Sequence, residues 1–162
     1  MEEHDQQSDY LIWQAFKKGD KSALDHIFRR YYPMLYNYGI KLSGSPSLTE
    51  DCLQDFFLYL YEHRSNLKNL ETISPYLFKA FRNRLFKSIK RRRSFTPLQD
   101  LKKEFSPIQF SIEEIIINQE TAKFQKELLY QQLNALPRRQ KELVYLKSVS
   151  YTHLTLPTTP YV

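Results

Sequence analysis

Apolar residues recur along the first half of the chain at the three- and four-residue spacing of amphipathic helices. The first such stripe falls within residues 9–18 and consists of Leu11, Ile12, Ala15 and Phe16. Gly19 interrupts it, and Asp20 is placed to cap a second helix. The apolar stripe of that helix runs to Leu42 and contains Pro33, which is expected to perturb the helix. The pattern therefore predicts two helices before residue 43.

A turn rich in Ser, Gly and Pro at residues 43–47 separates these helices from a third. The third helix is predicted to begin near Ser47 or Thr49 and to run to about Arg64. Acidic residues in its first turn suit the positive end of a helix dipole.

A polar loop is predicted over residues 65–71. Thr72 or Ser74 is expected to cap a fourth helix, with Pro75 in the first turn, where proline is tolerated. This helix is predicted to end near Arg92.

The second half of the chain is less regular. Residues 94–111 contain two prolines and little periodicity, which is typical of a linker. A long helix is predicted over residues 112–136, and Pro137 is expected to open a short one. Only three Gly are present and no segment alternates like a strand, so the expected fold class is all-α.

The composition limits the kinds of partner and compartment. A formal net charge of +6 favours a polyanionic partner. Cys52 is the only cysteine, which excludes an intramolecular disulfide and fits a reducing compartment. The N-terminal residues lack the layout of a signal peptide, and no apolar run approaches the roughly 18 residues needed to span a bilayer. We therefore expect a cytoplasmic protein without membrane insertion.

The third helix combines an apolar and an acidic face. The residues expected to face a core are Cys52, Phe56, Tyr59 and Leu60. Asp51, Gln54 and Asp55 lie on another face, beside Phe57, which is expected to be exposed. Such a surface suits a basic partner helix. Spacing alone favours the simpler interpretation of a solvated amphipathic helix.

The fourth helix is strongly basic. Its cations are Lys79, Arg82, Arg84, Lys87, Lys90, Arg91, Arg92 and Arg93, with no acid among them. The residues expected to pack inward are Leu77, Ala80, Phe81 and Leu85, whereas Lys79, Asn83, Lys87 and Lys90 share one stripe. Positive residues at a helix C-terminus complement its dipole, but eight exceed that need. Phosphate binding with salt-sensitive affinity is the preferred interpretation.

Aromatic residues interleave with these cations, at Tyr76, Phe78, Phe81 and Phe86. Aromatic rings beside a basic groove stack unpaired bases at about 1–3 kcal/mol per base. Most rings at helical spacing nevertheless belong to a core, so one or two near the loop are the candidates for stacking.

Residues for catalysis are lacking. The four His have no metal-ligand spacing, and no glycine-rich phosphate loop occurs. The acidic surroundings of Cys52 are expected to raise the pKa of its thiol and make it a poor nucleophile. We therefore expect no enzyme activity, metal or cofactor.

Taken together, residues 9–149 resemble the sigma-70 family, specifically its extracytoplasmic-function group. The segments that carry the resemblance are DYLIWQAFKKGDKSALDHIFRRYYPMLYNYG for the opening of region 2, EDCLQDFFLYLYEHR for the polymerase-docking helix, SPYLFKAFRNRLFKSIKRRR for the promoter-reading and melting helix, and LNALPRRQKELVYLK for the start of region 4. Each motif is moderately specific, and their order and spacing strengthen the resemblance.

The resemblance implies roles for particular residues. The clamp helices of the largest subunit of RNA polymerase would contact Asp51, Gln54, Asp55 and Phe57. Promoter DNA near the minus-ten element would contact Tyr76, Lys79, Arg82, Asn83, Lys87, Lys90, Arg91, Arg92 and Arg93. The loop over residues 67–74 would receive a flipped non-template base. An anti-sigma factor is a further partner to be considered.

The resemblance also implies two small helical domains. Residues 9–93 correspond to region 2, residues 94–111 to the linker and residues 112–149 to an incomplete region 4. The tail over residues 150–162 has no Lys, Arg, Asp or Glu and two prolines, where the family continues with a recognition helix for the minus-thirty-five element. It resembles translated sequencing-adapter read-through, and we expect it to be foreign, with region 4 cut short.

These observations favour a sigma factor that directs RNA polymerase to promoters and helps to open DNA. The alternative is a non-sigma helical adaptor that binds nucleic acid without polymerase. An enzyme is a third class, which the missing catalytic residues disfavour. Binding to core RNA polymerase distinguishes the first two.

Overall fold

A computed structural model describes residues 2–94, 108–110 and 123–150 and shows an all-α fold; over these residues no strand is present. The helices are α1 (Glu2–Lys17), α2 (Lys21–Ser43), α3 (Pro46–Glu62), α4 (Ser74–Ser94), α5 (Lys123–Ala135) and α6 (Arg138–Ser150), with a 3₁₀ turn at Arg64–Asn66. The chain divides into two compact units, Met1–Phe105 and Ser106–Val162. None of the described helices has the length and apolar character required to cross a membrane.

The junction between α1 and α2 follows the sequence prediction closely. Gly19 takes a positive φ of 93°, and the carboxylate of Asp20 accepts hydrogen bonds from the backbone N–H groups of Ser22 (2.8 Å) and Ala23 (3.4 Å). The predicted cap at Asp20 is therefore confirmed. α1 starts earlier than predicted, at Glu2, because Glu and Gln favour helix without adding to an apolar stripe.

The turn between α2 and α3 is fixed by its own residues. Gly44 ends α2 in the left-handed conformation, with φ of 65°, and its N–H bonds to the carbonyl of Ile40 at 2.8 Å. The hydroxyl of Ser45 then accepts from the N–H of Leu48, with Pro46 in the first turn. α3 starts slightly earlier than predicted because Ser45 is the capping residue.

The start of α4 is held by a distant side chain. The carboxylate of Asp9, on α1, accepts a hydrogen bond from the backbone N–H of Ile73 at 3.1 Å and lies 3.6 Å from Arg30. The hydroxyl of Ser74 is buried and finds no hydrogen-bond partner among the residues that the structure describes. Of the two predicted caps, Thr72 or Ser74, the choice of Ser74 is therefore wrong, because Ser74 is the first residue of α4. The adjacent N–H of Ile73 is bonded by Asp9 instead.

The core of the first unit draws on all four of its helices. Its largest fully buried side chains are Trp13, Phe16, Ile27, Tyr31, Leu35, Tyr38, Leu53, Phe56, Leu60, Ile73, Leu77 and Phe81. A Cβ added at Gly39 would lie 2.5 Å from Cγ2 of Thr49 and 3.1 Å from the ring of Phe81. Gly39 therefore allows α2 to approach both α3 and α4.

The second unit contains α5, α6 and residues 108–110, which lie outside any helix. Ile108 and Phe110 are buried, and the side-chain amide of Asn134 bonds both backbone groups of Phe110, at 2.9 Å to its N–H and 3.1 Å to its carbonyl. The Phe110 ring also contacts Tyr145, with centroids 6.3 Å apart. Residues 108–110, which the sequence assigns to the linker, are thus packed into this unit.

Other predictions fall partly outside the described residues. The helix predicted over residues 112–136 is described from residue 123, and the prediction of a helix after Pro137 is confirmed by α6. Most of the predicted linker (95–107) and the tail from residue 151 lie outside the described residues.

Candidate functional site

The outward face of α3 is acidic. The helix carries Glu50, Asp51, Asp55 and Glu62 and no Lys or Arg, so its side chains sum to −4. Asp51, Gln54 and Asp55 are all exposed, whereas Cys52, Phe56 and Leu60 are buried as predicted. The predicted division between acidic and apolar faces is therefore present, with Tyr59 half-buried between them.

Phe57 does not belong to the exposed acidic face. Its side chain is only 7% exposed and packs edge-on against Phe28 of α2, with centroids 5.0 Å apart. It also contacts Tyr32 and Phe56, at centroid distances of 6.2 and 5.7 Å. The expectation of an exposed aromatic at Phe57 is wrong because α2 covers this side of α3.

The exposed apolar residue of α3 is Leu58, which is 55% exposed. It follows Gln54 and Asp55 by four and three residues, so all three share one surface of the helix. The three- and four-residue spacing of Leu58 from the acidic face is the sequence signal that could have identified it.

The outward face of α4 is basic. The helix has eight Lys and Arg residues and no Asp or Glu, a sum of +8. The exposed candidates for DNA binding are Lys79, Asn83, Lys87, Lys90, Arg91 and Arg92. Leu77, Phe81 and Leu85 are fully buried as predicted, with Ala80 half-buried. Arg93 lies within the helix, but its side chain is outside the described part of the chain.

Two arginines of α4 rest on aromatic rings. The guanidinium carbon of Arg84 lies 3.9 Å from the ring centroid of Tyr59 on α3, and that of Arg82 lies 4.3 Å from the ring centroid of Phe86. Cation–π contacts of this length hold long side chains in place. Arg82, a predicted DNA ligand, is therefore a half-buried and positioned cation.

The aromatic residues of α4 belong mostly to the packing. Phe78 is buried against Tyr38, with centroids 5.4 Å apart, and Phe81 is in the core. Tyr76 is half-buried and lies edge-on to Trp13 at 5.7 Å. Burial raises the pKa of the Tyr76 hydroxyl, nearby Tyr59 raises it further, and Arg84 lowers it. Of the predicted stacking rings, Tyr76 and Phe86 retain partial exposure.

The loop between α3 and α4 is fastened to α1. The indole N–H of Trp13 donates to the carbonyl of Lys68 at 2.8 Å. Gln14 and Lys17 donate to the amide oxygen of Asn69 at 3.0 and 2.7 Å. These pairs are more than 50 residues apart in sequence, so no local pattern reveals them.

The acidic and basic surfaces meet at one edge. Arg92 and Asp51 lie 3.8 Å apart, and their side chains are 53% and 69% exposed. An exposed pair at this distance contributes little to stability, about 0–1 kcal/mol. It does show that the start of α3 and the end of α4 adjoin.

Cys52 is buried beneath the acidic face. Burial raises the pKa of its thiol, and Asp55 contributes a smaller increase, while a hydrogen bond from Ser88 and the charge of Arg84 oppose it. The expected direction of the shift is confirmed, although burial rather than acidic surroundings is its main cause. Within the described residues, no group of His, Cys, Asp and Glu is arranged to hold a metal ion.

The first unit is an all-helical bundle with one acidic and one basic outward face. Residues 27–95 match the sigma-70 region 2 family, from within α2 to just beyond the end of α4. This match supports a sigma-70 family member. No curated protein and no solved structure matches the chain.

Proposed function

We propose that the protein is a sigma factor of the extracytoplasmic-function group. In this proposal it binds core RNA polymerase and promoter DNA in the cytoplasm, and the polymerase performs the phosphoryl chemistry. The observation that carries it is the packing of an acidic helix beside an uninterrupted basic helix within the segment that matches region 2.

The acidic face of α3 is the proposed contact for the clamp helices of the largest polymerase subunit. Asp51, Gln54 and Asp55 are exposed and form one surface, so their charge is available to a basic helix. Phe57 takes part only by supporting that surface from below, because it is buried.

The basic face of α4 is the proposed contact for DNA near the minus-ten element. Its exposed cations suit phosphates, and Asn83 lies among them as a hydrogen-bonding side chain. Residues 67–74 are the proposed receptor of a flipped base, since α1 holds that loop in place. α5 and α6 correspond in this proposal to the opening helices of region 4, and an anti-sigma factor is a further candidate partner.

Binding to purified bacterial core RNA polymerase tests the proposal. The full chain is expected to bind, and Asp55→Lys is expected to weaken binding about tenfold or more, because a charge is reversed in the contact. Glu71→Lys makes the same change on an exposed loop residue and is expected to leave the affinity within about twofold. A chain that binds nucleic acid but not polymerase would instead be the non-sigma adaptor.

A further inference from the structure

An open groove of about 460 Å³ lies between α2 and α3. Its walls are Lys21, Leu24, Asp25, Phe28, Phe57, Leu58 and Tyr61. Pockets of about 300–1,000 Å³ accept small ligands, so this groove has room for apolar side chains of a partner. It is distinct from the basic face of α4, none of whose residues lines it.

Two large apolar side chains at this groove are exposed. Phe28 is 41% exposed and Leu58 is 55% exposed, although Phe28 also packs against Phe57 and Tyr32. The shared core of α2 and α3 therefore continues outward into an apolar surface that remains accessible. Adjoining exposed apolar side chains rimmed by polar residues are a feature of association sites.

The groove adjoins the acidic surface on α3. One helical turn from Leu58 in either direction are Gln54, Asp55, Tyr61 and Glu62. α3 has four acids and no base, in a chain whose total charge is +6. On the α2 side, the groove is lined by one acid, Asp25, and one cation, Lys21. Asp25 forms an ion pair with Arg29, at 2.9 Å, outside the lining.

This charge distribution selects the kind of occupant. A nucleic acid is repelled by the α3 carboxylates, since its phosphates carry the same charge. A helix that presents Lys or Arg beside an apolar side chain satisfies both parts of the surface, because its cations face the carboxylates while the apolar group enters the groove.

We propose that the groove between α2 and α3 is the apolar anchor site of the polymerase contact, filled by an apolar side chain of a basic helix. This inference rests on the proposed function and deepens it. Leu58 and Phe28 then supply the apolar contact that the sequence assigned to Phe57. The acidic residues orient the partner, and the groove contributes most of the buried apolar area.

Substitutions at the groove test this inference through the dissociation constant for core RNA polymerase. Leu58→Ser and Phe28→Ser are each expected to weaken binding about tenfold, the loss typical of removing one anchor side chain. Leu58→Met keeps an apolar group and is expected to bind within about twofold of the original chain. Leu11→Ser is the matched control, since Leu11 is 60% exposed on α1 and does not line the groove.

The outcomes separate the groove from the proposed function. Normal binding by Leu58→Ser together with weak binding by Asp55→Lys would overturn the groove and leave polymerase docking intact. Normal binding by both would overturn docking itself. Leu58 is more than half exposed, so Leu58→Ser is expected to fold normally. It therefore tests the groove even if Phe28→Ser lowers the stability of the fold. Sedimentation measures whether Leu58→Ser changes the self-association of the chain. If self-association changes while polymerase binding does not, a second copy of the chain is the occupant of the groove, and the proposal is overturned.

Discussion

α3 and α4 pack into the same core yet present opposite charges to solvent. α3 buries Leu53, Phe56 and Leu60, and α4 buries Leu77, Phe81 and Leu85, so the inward faces are alike. Outward, the two helices sum to −4 and +8. The inward apolar stripes hold the bundle together, and the outward residues give it two faces of opposite charge. In the proposed function the acidic face meets a protein and the basic face meets nucleic acid.

The largest expected effect comes from removing the three cations at the end of α4 while α3 is left unchanged. Replacing Arg91, Arg92 and Arg93 with Ala is expected to weaken DNA binding on the order of 100-fold at 0.1 M salt, and to reduce the salt slope by about 2–3, through lost counterion release. Titrating labelled promoter DNA at several salt concentrations measures both. Binding to core polymerase, the control, is expected to stay within about twofold. An unchanged slope would remove the phosphate role from this end of α4.

A substitution in the shared core is expected to affect both faces together. Gly39→Ala brings a methyl group onto Thr49 and Phe81, both fully buried, so neither neighbour moves away easily. The free energy of unfolding is expected to fall by about 1–3 kcal/mol, as in other overpacked cores. Urea unfolding followed by circular dichroism measures it, with exposed Asn37→Ala as the control on the same helix. Equal stability of the two variants would show that the helices separate at little cost.

The contact that starts α4 is expected to matter less. Asp9→Ala removes a hydrogen bond to the N–H of Ile73 and the charge facing Arg30, with an expected loss of about 1–2 kcal/mol in the free energy of unfolding. Thermal unfolding measures this loss. Amide hydrogen exchange at residues 73–77 is expected to accelerate more than exchange in α3. Equal acceleration in both helices would contradict a local role for Asp9.

The smallest expected effect lies where the two faces meet. Asp51→Asn removes the ion pair with Arg92, and the free energy of unfolding is expected to change by less than about 1 kcal/mol, because both side chains are more than half exposed. Polymerase binding is expected to weaken measurably all the same. A larger loss of stability than of binding would mean that Asp51 serves the fold rather than the partner.

Local features of the bundle were predictable from the sequence. The Asp20 cap and the inward residues of α4 depend on neighbours within a few positions, so periodicity and capping rules identify them. The contacts of Asp9 and Trp13 with the loop before α4 join residues more than 50 positions apart, and no local rule contains them. The expectation of an exposed Phe57 is wrong because the position of α2 decides which flank of α3 is covered, and no local rule contains that position.

α1 has a consequence for what counts as a folding unit. The family match begins at residue 27, but Trp13 and Phe16 are fully buried, and Asp9 and Trp13 fasten the segment that leads into α4. A fragment cut at the edge of the similarity would expose a strip of core and free the loop of residues 67–73. The segment that matches the family is therefore shorter than the segment that is expected to fold by itself. α1 lies outside the family match, yet its side chains hold the start of α4, which lies inside the match.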